Sequence, residues 1–459
     1  MDDTWNPVLD DAACAEALDS VCEIAQVLRD PAVRALEQNG AALPQGAAGM
    51  ALFYAYVSEA GLPVDAAGEL ADELIDTAIE QLAQEPMGFG LHGGFAGVAW
   101  AVEHLTSEAE DGDTDPAAAA EPDPTRAGGT PETTASAEHD EEGEGDDLNT
   151  DIDEAILQLL TAEQWHGDYD LISGLVGLAV YGFERMPHAG GRALLSEIAR
   201  HLSALARRDE HGVTWFTAPN LLPEHQRKEY PDGYYNLGLA HGIPGCLAVL
   251  AQLIEHDIAV DESRALLDGA LGWMAARRQD FTVGSAYPWV FYPGDTPSPS
   301  RHAWCYGDPG VAAALAVAGR VGERPDALSA ARELALNASR ASDERTGVND
   351  AGLCHGSIGL SLIYARLAQA TRDDELARAA AHWARYTLEH RQPGAGIAGY
   401  LTRMPYLDRV AFEGTPGLLT GACGVGLGLL AAATDIPPAW DRCLLLSAAP
   451  GARLGPQVP

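Results

Sequence analysis

Polar and apolar positions along the chain fall into a repeat. Seven times a Gly-x-x-Gly pair precedes a run of small and apolar residues: Gly46/Gly49, Gly94/Gly97, Gly174/Gly177, Gly242/Gly245, Gly307/Gly310, Gly356/Gly359 and Gly421/Gly424. Each run reads as a helix with almost no polar face, as in Leu360-Ser361-Leu362-Ile363-Tyr364-Ala365-Arg366-Leu367. A helix of that kind has to be buried all round. Between the runs lie amphipathic stretches, such as 326–338 and 372–390, with arginines and acids on one face. Each repeat is therefore two helices, one buried and one shielding it. The spacing between successive first glycines varies from 48 to 80 residues, too uneven for a regular open solenoid. The pattern predicts an all-α fold, an α/α toroid (barrel) of seven inner and seven outer helices. Parallel inner helices would put all seven glycine turns on one rim, and loops gathered on one rim are a natural place for a site. Residues 215–235 and 281–292, rich in aromatics, Val, Thr and Pro, predict short strands or small rim and lid segments.

Composition adds an insert and an exclusion. The 459 residues are 47% hydrophobic, enough to bury a large core. Residues 1–459 read as a single toroid domain interrupted at 106–150 by an acidic insert. That stretch holds fifteen acids and one arginine, has little to bury, and is expected to be disordered. The whole chain carries a net charge of −40, from 68 acids against 28 bases. Lys228 is its single lysine. Such a field repels phosphate backbones and anionic lipid surfaces, which speaks against a nucleic-acid partner. No apolar run reaches the roughly 18 residues of a membrane span. The N-terminal Met-Asp-Asp-Thr-Trp has no secretory features. No membrane insertion and a cytoplasmic location are expected. Seven cysteines, an odd number thinly spread, are not a disulfide framework.

Three turns carry unusual residues at the glycines. The fourth reads Leu239-Ala240-His241-Gly242, the fifth Arg301-His302-Ala303-Trp304-Cys305-Tyr306-Gly307, the sixth Leu353-Cys354-His355-Gly356. On a shared rim Cys305, Cys354, His355 and His241 converge. Two thiolates and one imidazole form a zinc set that leaves the fourth tetrahedral position open, the catalytic rather than the structural pattern. Cys14, Cys22, Cys246, Cys423 and Cys443 have no such company and read as buried small hydrophobes. His92, which also precedes a turn, reads as a satisfied structural histidine.

With these motifs in place the chain resembles the lanthionine synthetase C-like (LanC) family of lanthipeptide cyclases. The resemblance rests on Tyr230-Pro-Asp-Gly-Tyr-Tyr-Asn-Leu-Gly-Leu-Ala-His-Gly-Ile-Pro-Gly245, on Trp304-Cys-Tyr-Gly307, on Cys354-His-Gly356, and on Trp440-Asp441-Arg442 with Leu444-Leu445-Leu446. It implies an α/α toroid and a stand-alone cyclase. It implies one zinc per chain on Cys305, Cys354 and His355. The substrate implied is a dehydrated ribosomal precursor peptide, whose cysteine thiols add to dehydroalanine or dehydrobutyrine to form (methyl)lanthionine thioethers. A metal-coordinated thiol is deprotonated outright, whereas a free one is mostly protonated near neutral pH. The resemblance also implies catalytic roles. His241 is the acid/base that protonates the enolate, and Asp170 orients it or holds its proton. Arg301 and Tyr306 face the enolate oxygen. A lanthipeptide dehydratase and an exporter are compatible partners, in an assembly peripheral to a membrane.

Other readings use fewer of these residues. A prenyltransferase β-subunit also activates a peptide thiol on zinc, but needs a basic diphosphate site. An α/α-barrel glycosidase needs two rim carboxylates; Asp170 and Asp308 are available, but the cysteines then have no use. A LanC-like thiol- or glutathione-binding protein, or a non-catalytic scaffold of a synthetase complex, is the alternative that keeps the fold.

Overall fold

The computed structural model describes residues 4–36, 40–112, 147–161, 163–186, 188–280, 285–294, 296–405 and 409–449. Each Gly-x-x-Gly opens a helix because the chain ahead of it coils tightly against the two glycines. A Cβ on Gly421 would lie 2.5 Å from the Thr415 carbonyl oxygen, six residues earlier, and one on Gly424 would overlap that of Leu418. Gly307 and Gly310 are pressed in the same way by Arg301 and Trp304. The repeat is thus a steric requirement for two bare Cα atoms at fixed offsets. Gly424→Ala is expected to destabilise the protein by about 3 kcal/mol through overpacking, read as a lower urea midpoint with an unchanged slope.

Among the described residues fourteen long helices result: α1 (Asp11–Leu28), α2 (Ala47–Glu59), α3 (Ala67–Gln84), α4 (Phe95–Gly112), α5 (Thr150–Leu160), α6 (Leu175–Glu184), α7 (Ala189–Leu205), α8 (Ile243–Glu255), α9 (Val260–Ala275), α10 (Asp308–Val321), α11 (Pro325–Ser339), α12 (Ser357–Thr371), α13 (Asp374–Glu389) and α14 (Ala422–Ala433). The seven that follow glycine pairs form the inner ring, and the order α2, α4, α6, α8, α10, α12, α14 closes because α14 packs on α2. All twelve residues of α14 are buried. Outer α13 buries one face only, through Leu376, Ala380, Trp383, Ala384 and Leu388. The N-terminal α1 packs on α14 and supplies the seventh outer helix. Trp5 Nε1 donates to the Ala431 carbonyl, 2.8 Å away and 426 residues along the chain. The toroid of seven inner and seven outer helices is therefore as the periodicity predicts. No helix among the described residues is long and apolar enough to cross a membrane.

The turns are tied to one another by a belt of backbone hydrogen bonds. His92 N–H donates to Ile172 O (3.0 Å), Leu171 to Ala240 (3.1 Å), Ala240 to Cys305 (3.4 Å), Cys305 to Cys354 (3.4 Å), Cys354 to Leu419 (2.9 Å) and Leu419 to Pro44 (3.0 Å). Every bond runs in the same sense around the rim. The next link would need a donor from Pro44, and proline has none.

The C-terminal segment 439–449 fills the middle of the ring. Asp441 takes a paired contact from Arg366 of α12 (2.6 and 3.1 Å). Arg442 reaches Glu184 of α6 at 3.1 Å. Gln252 of α8 accepts the Ala449 N–H at 3.0 Å. The Cys443 and Leu444 carbonyls meet His92 Nε2 (3.0 Å) and Trp304 Nε1 (2.8 Å), which come down from the rim.

Most of the predicted insert, 113–146, lies outside the described residues. Its flanks are structured: α4 runs on to Gly112, and Asp147 and Asn149 are bonded into the core. Arg185, 1% exposed, meets Glu103 (2.7 Å), Asp147 (2.5 Å) and Asp153 (2.8 Å). Asn149 Nδ2 donates to Glu103 and to the Ala99 carbonyl, both at 3.1 Å. The rim segments form strand only in part: Tyr235–Asn236 pairs antiparallel with Val290–Phe291, while Pro219–Leu221 is a 3-10 turn and Glu224–Glu229 a short helix; residues 281–284 lie outside the described residues.

Candidate active site on the glycine rim

Counting back from the first glycine of each pair gives every rim residue a place. Two residues before it stand Pro44, His92, Ile172, Ala240, Cys305, Cys354 and Leu419, which with Leu171 make up the belt. Cys305 and Cys354 therefore occupy equivalent places in adjacent turns, and the Cys305-to-Cys354 backbone bond sets their separation. The residue directly before the glycine is more open. From the fourth turn to the sixth it is His241, Tyr306 and His355, all partly buried.

The thiol of Cys305, the thiol of Cys354 and a ring nitrogen of His355 all lie within 4.8 Å of one another. A hydrogen bond from the Cys354 thiol, aided by His355 and Arg301, outweighs burial and holds Cys305 well below the usual thiol range. The same bond and burial push Cys354 well up. The Arg301 Nη2 lies 3.8 Å from the Cys305 sulfur. His355 Nδ1 is buried with no hydrogen-bond partner, while Nε2 lies 3.5 Å from Asp350. An orphaned imidazole nitrogen beside two thiols fits a zinc ion.

His241 Nδ1 is 2.6 Å from Asp170 Oδ2. The Asp170 carboxylate is itself held, since Oδ1 accepts the Ser173 N–H at 2.8 Å. Burial works to lower the His241 pKa, but the Asp170 bond and charge, with those of Cys305 and Asp168, raise it above the ordinary 6.5. Tyr306 stacks on His241 at 6.1 Å between centroids, and burial raises its hydroxyl above the ordinary range, so it stays a neutral donor. Trp289, brought over by the strand pair at 290–291, stands edge-on to Tyr306 at 5.9 Å. All seven residues singled out in the sequence thus come to neighbouring turns of one rim.

Several expectations change. Of the five cysteines read as buried, Cys246, Cys423 and Cys443 are, but Cys14 and Cys22 are only partly covered; they sit on outer helix α1, nearer solvent. His92 is not fully satisfied: Nε2 bonds the Cys443 carbonyl while Nδ1 has no partner, and burial lowers its pKa to about 4. Asp308 is 1% exposed, and its carboxylate accepts from Ser285 Oγ (2.9 Å) and from the N–H groups of Ala286 (2.9 Å) and Tyr287 (3.0 Å). It anchors a rim segment and offers no acid to a glycosidic bond.

Three polar residues at the site escape the sequence reading: Asp168, Asn236 and Asp350. Burial and the nearby Asp170 charge raise Asp168 to about 6. Asn236 is a hydrogen-bond partner of Tyr306. Each stands six residues before the first glycine of its turn, the offset that Arg301 also has. That shared offset is the signal that would have found them.

Residues 129–445 match the model of a family described as lanthionine synthetase C-like protein. No curated protein sequence matches the chain. Thirteen chains of solved structures do. One is nisin cyclase, 18% identical, with a TM-score of 0.68 over 92% of this chain and 96% of that one. At that identity the likeness is one of fold.

Proposed function

The chain belongs to the lanthionine synthetase C-like family, and from that premise we propose that it is a zinc-dependent lanthipeptide cyclase. The observation that carries the reading is the meeting of Cys305, Cys354 and His355 within 4.8 Å on the rim that also bears the His241–Asp170 pair. Zinc held by those three ligands would supply the Lewis acidity that brings a peptide thiol to its thiolate near neutral pH.

The remaining chemistry falls to the chain's own side chains. Addition of the thiolate to the β-carbon of dehydroalanine or dehydrobutyrine puts charge on the adjoining carbonyl oxygen. Arg301 and Tyr306 offer donors for that oxygen, and the raised Tyr306 pKa keeps its proton in place. The α-carbon then takes a proton. His241 is the donor: Asp170 holds Nδ1, so Nε2 is the nitrogen that exchanges. Asp168, raised to about 6, stands by as a second proton carrier. A dehydratase supplies the substrate in this reading, and an exporter is a compatible partner.

Cyclisation is an isomerisation, so the product has the mass of the substrate and is followed by loss of alkylatable thiols. The wild-type protein with zinc is expected to consume the free thiols of a dehydrated, cysteine-containing peptide. Thiols that persist at full zinc loading would instead favour a non-catalytic scaffold.

The electrostatics give a pH prediction. Asp170 keeps His241 protonated above its ordinary range, so a reaction that needs the imidazolium is sustained below that raised pKa and fails as pH rises through it. Asp170→Asn removes the charge that raises it. The basic limb of kcat/KM is expected to move to lower pH in Asp170→Asn, and His241→Gln is expected to lose that limb and about 10²–10⁴-fold in rate.

A further inference from the structure

Asp350 has no place in the chemistry above, yet its carboxylate is 1% exposed beside the cluster. Backbone groups fix it on both sides. Oδ1 accepts the Gly352 N–H at 3.2 Å, and Oδ2 accepts the Arg403 N–H at 3.1 Å. Gly352 belongs to the same turn as His355, whereas Arg403 lies on the strand Thr402–Pro405 of a hairpin that follows α13. The carboxylate therefore cannot swing without breaking two main-chain bonds. The same Oδ2 lies 3.5 Å from His355 Nε2. The opposite ring nitrogen, Nδ1, is buried without a hydrogen-bond partner.

We infer that Asp350 is the positioning residue of the metal cluster: it holds the proton of His355 on Nε2 and so presents the bare Nδ1 to the ion between Cys305 and Cys354. The physical reason is that a neutral imidazole has one donor and one acceptor nitrogen, and a carboxylate opposite one of them decides which is which. A histidine ligand held in this way is also a better donor to its metal. Because the second anchor of Asp350 is the Arg403 N–H, the hairpin is coupled to the geometry of the cluster. The inference rests on the zinc reading of the site, but it is tested without thioether formation.

Asp350→Asn keeps the size of the side chain and removes its charge. Two measurements are made on the full chain. Zinc affinity is read by competition with a chromophoric chelator. The tautomer of His355 is read from the ring-nitrogen NMR shifts of metal-free protein labelled at histidine, with His355→Gln identifying the signals. Asp350→Asn is expected to weaken zinc binding about 10–100-fold and to turn a single Nε2–H tautomer of His355 into a mixture. Zinc affinity within twofold of wild type would overturn the proposal. So would weaker binding with the tautomer unchanged, since that marks a merely structural role. A wild-type chain that takes up no zinc would sink the zinc reading instead, and the tautomer shift would still decide what Asp350 does to His355.

Discussion

Cys354→Ala is expected to leave the ring folded and the protein without zinc. The belt uses the backbone of Cys354, not its thiol: the N–H donates to Leu419 and the carbonyl accepts from Cys305. Removing the sulfur leaves those bonds in place, so the thermal midpoint should stay near that of the metal-free wild type. The cluster then has one thiolate and one imidazole, too few for a zinc site with a single open position. Activity should collapse with the metal. A free peptide thiol with a pKa near 8.5 is only about 3% thiolate at pH 7, so loss of activation alone costs at least ~30-fold, and the loss of orientation multiplies it. Metal content per chain and rate of thiol consumption are the two readings. A variant that cyclises at the wild-type rate without zinc would end the metal mechanism.

Arg185→Met should be the most damaging substitution far from the site. The guanidinium is 1% exposed and meets Glu103, Asp147 and Asp153 at 2.5–2.8 Å. Methionine fills much of the same volume but leaves the buried Glu103 and Asp153 carboxylates, and the partly exposed Asp147, facing one another without the guanidinium. Breaking a buried ion cluster in this way costs about 3–5 kcal/mol. The pH dependence identifies the cause. Burial acts to raise the Asp147 pKa, but Arg185, the Asn149 N–H and the Thr150 hydroxyl hold it below the ordinary 3.8. That carboxylate therefore contributes stability present above pH 3.8 and lost as pH falls through its lower folded value. Without Arg185 the sign reverses, because protonation relieves the repulsion. The stability gap between wild type and Arg185→Met should narrow as the pH is lowered toward 4. A gap independent of pH would mean that packing, not charge, is what Arg185 supplies.

What the sequence made legible was what recurs at a fixed offset. Glycines at two offsets are compelled by carbonyls that leave no room for a Cβ, so the repeat, the two-helix unit and the single rim follow from counting. Cys305, Cys354 and His355 were legible for the same reason. Asp350 was legible only as a place, six residues before its glycine; what its carboxylate does there depends on Arg403, far along the chain. The hydrogen-bond belt joins main-chain atoms of successive turns and leaves no mark on side chains except Pro44, where it stops. The C-terminal segment was noticed as a motif, but nothing in Trp440-Asp441-Arg442 says that it fills the ring; that depends on Arg366, Glu184 and Gln252 being on three different inner helices. Cys14 and Cys22 show the limit of residue-type averages on an amphipathic helix.

The clasp between the two ends of the chain has a kinetic meaning. Trp5 bonds Ala431, and Val8 and Leu9 both donate to the Ala432 carbonyl, so the contact that turns an arc of helices into a ring is also among the most distant in sequence. Loop-closure entropy has to be met before such a contact returns anything. During synthesis every earlier repeat can stack on its predecessor, but α2 keeps an uncovered flank until α14 has left the ribosome. The nascent chain is therefore expected to be an open horseshoe with two apolar edges until α14 is made, and residues 439–449 can seat in the ring only after that. Variants that weaken the clasp, such as Trp5→Ala, should leave the refolded structure nearly intact and lengthen the time for which those edges can meet another chain.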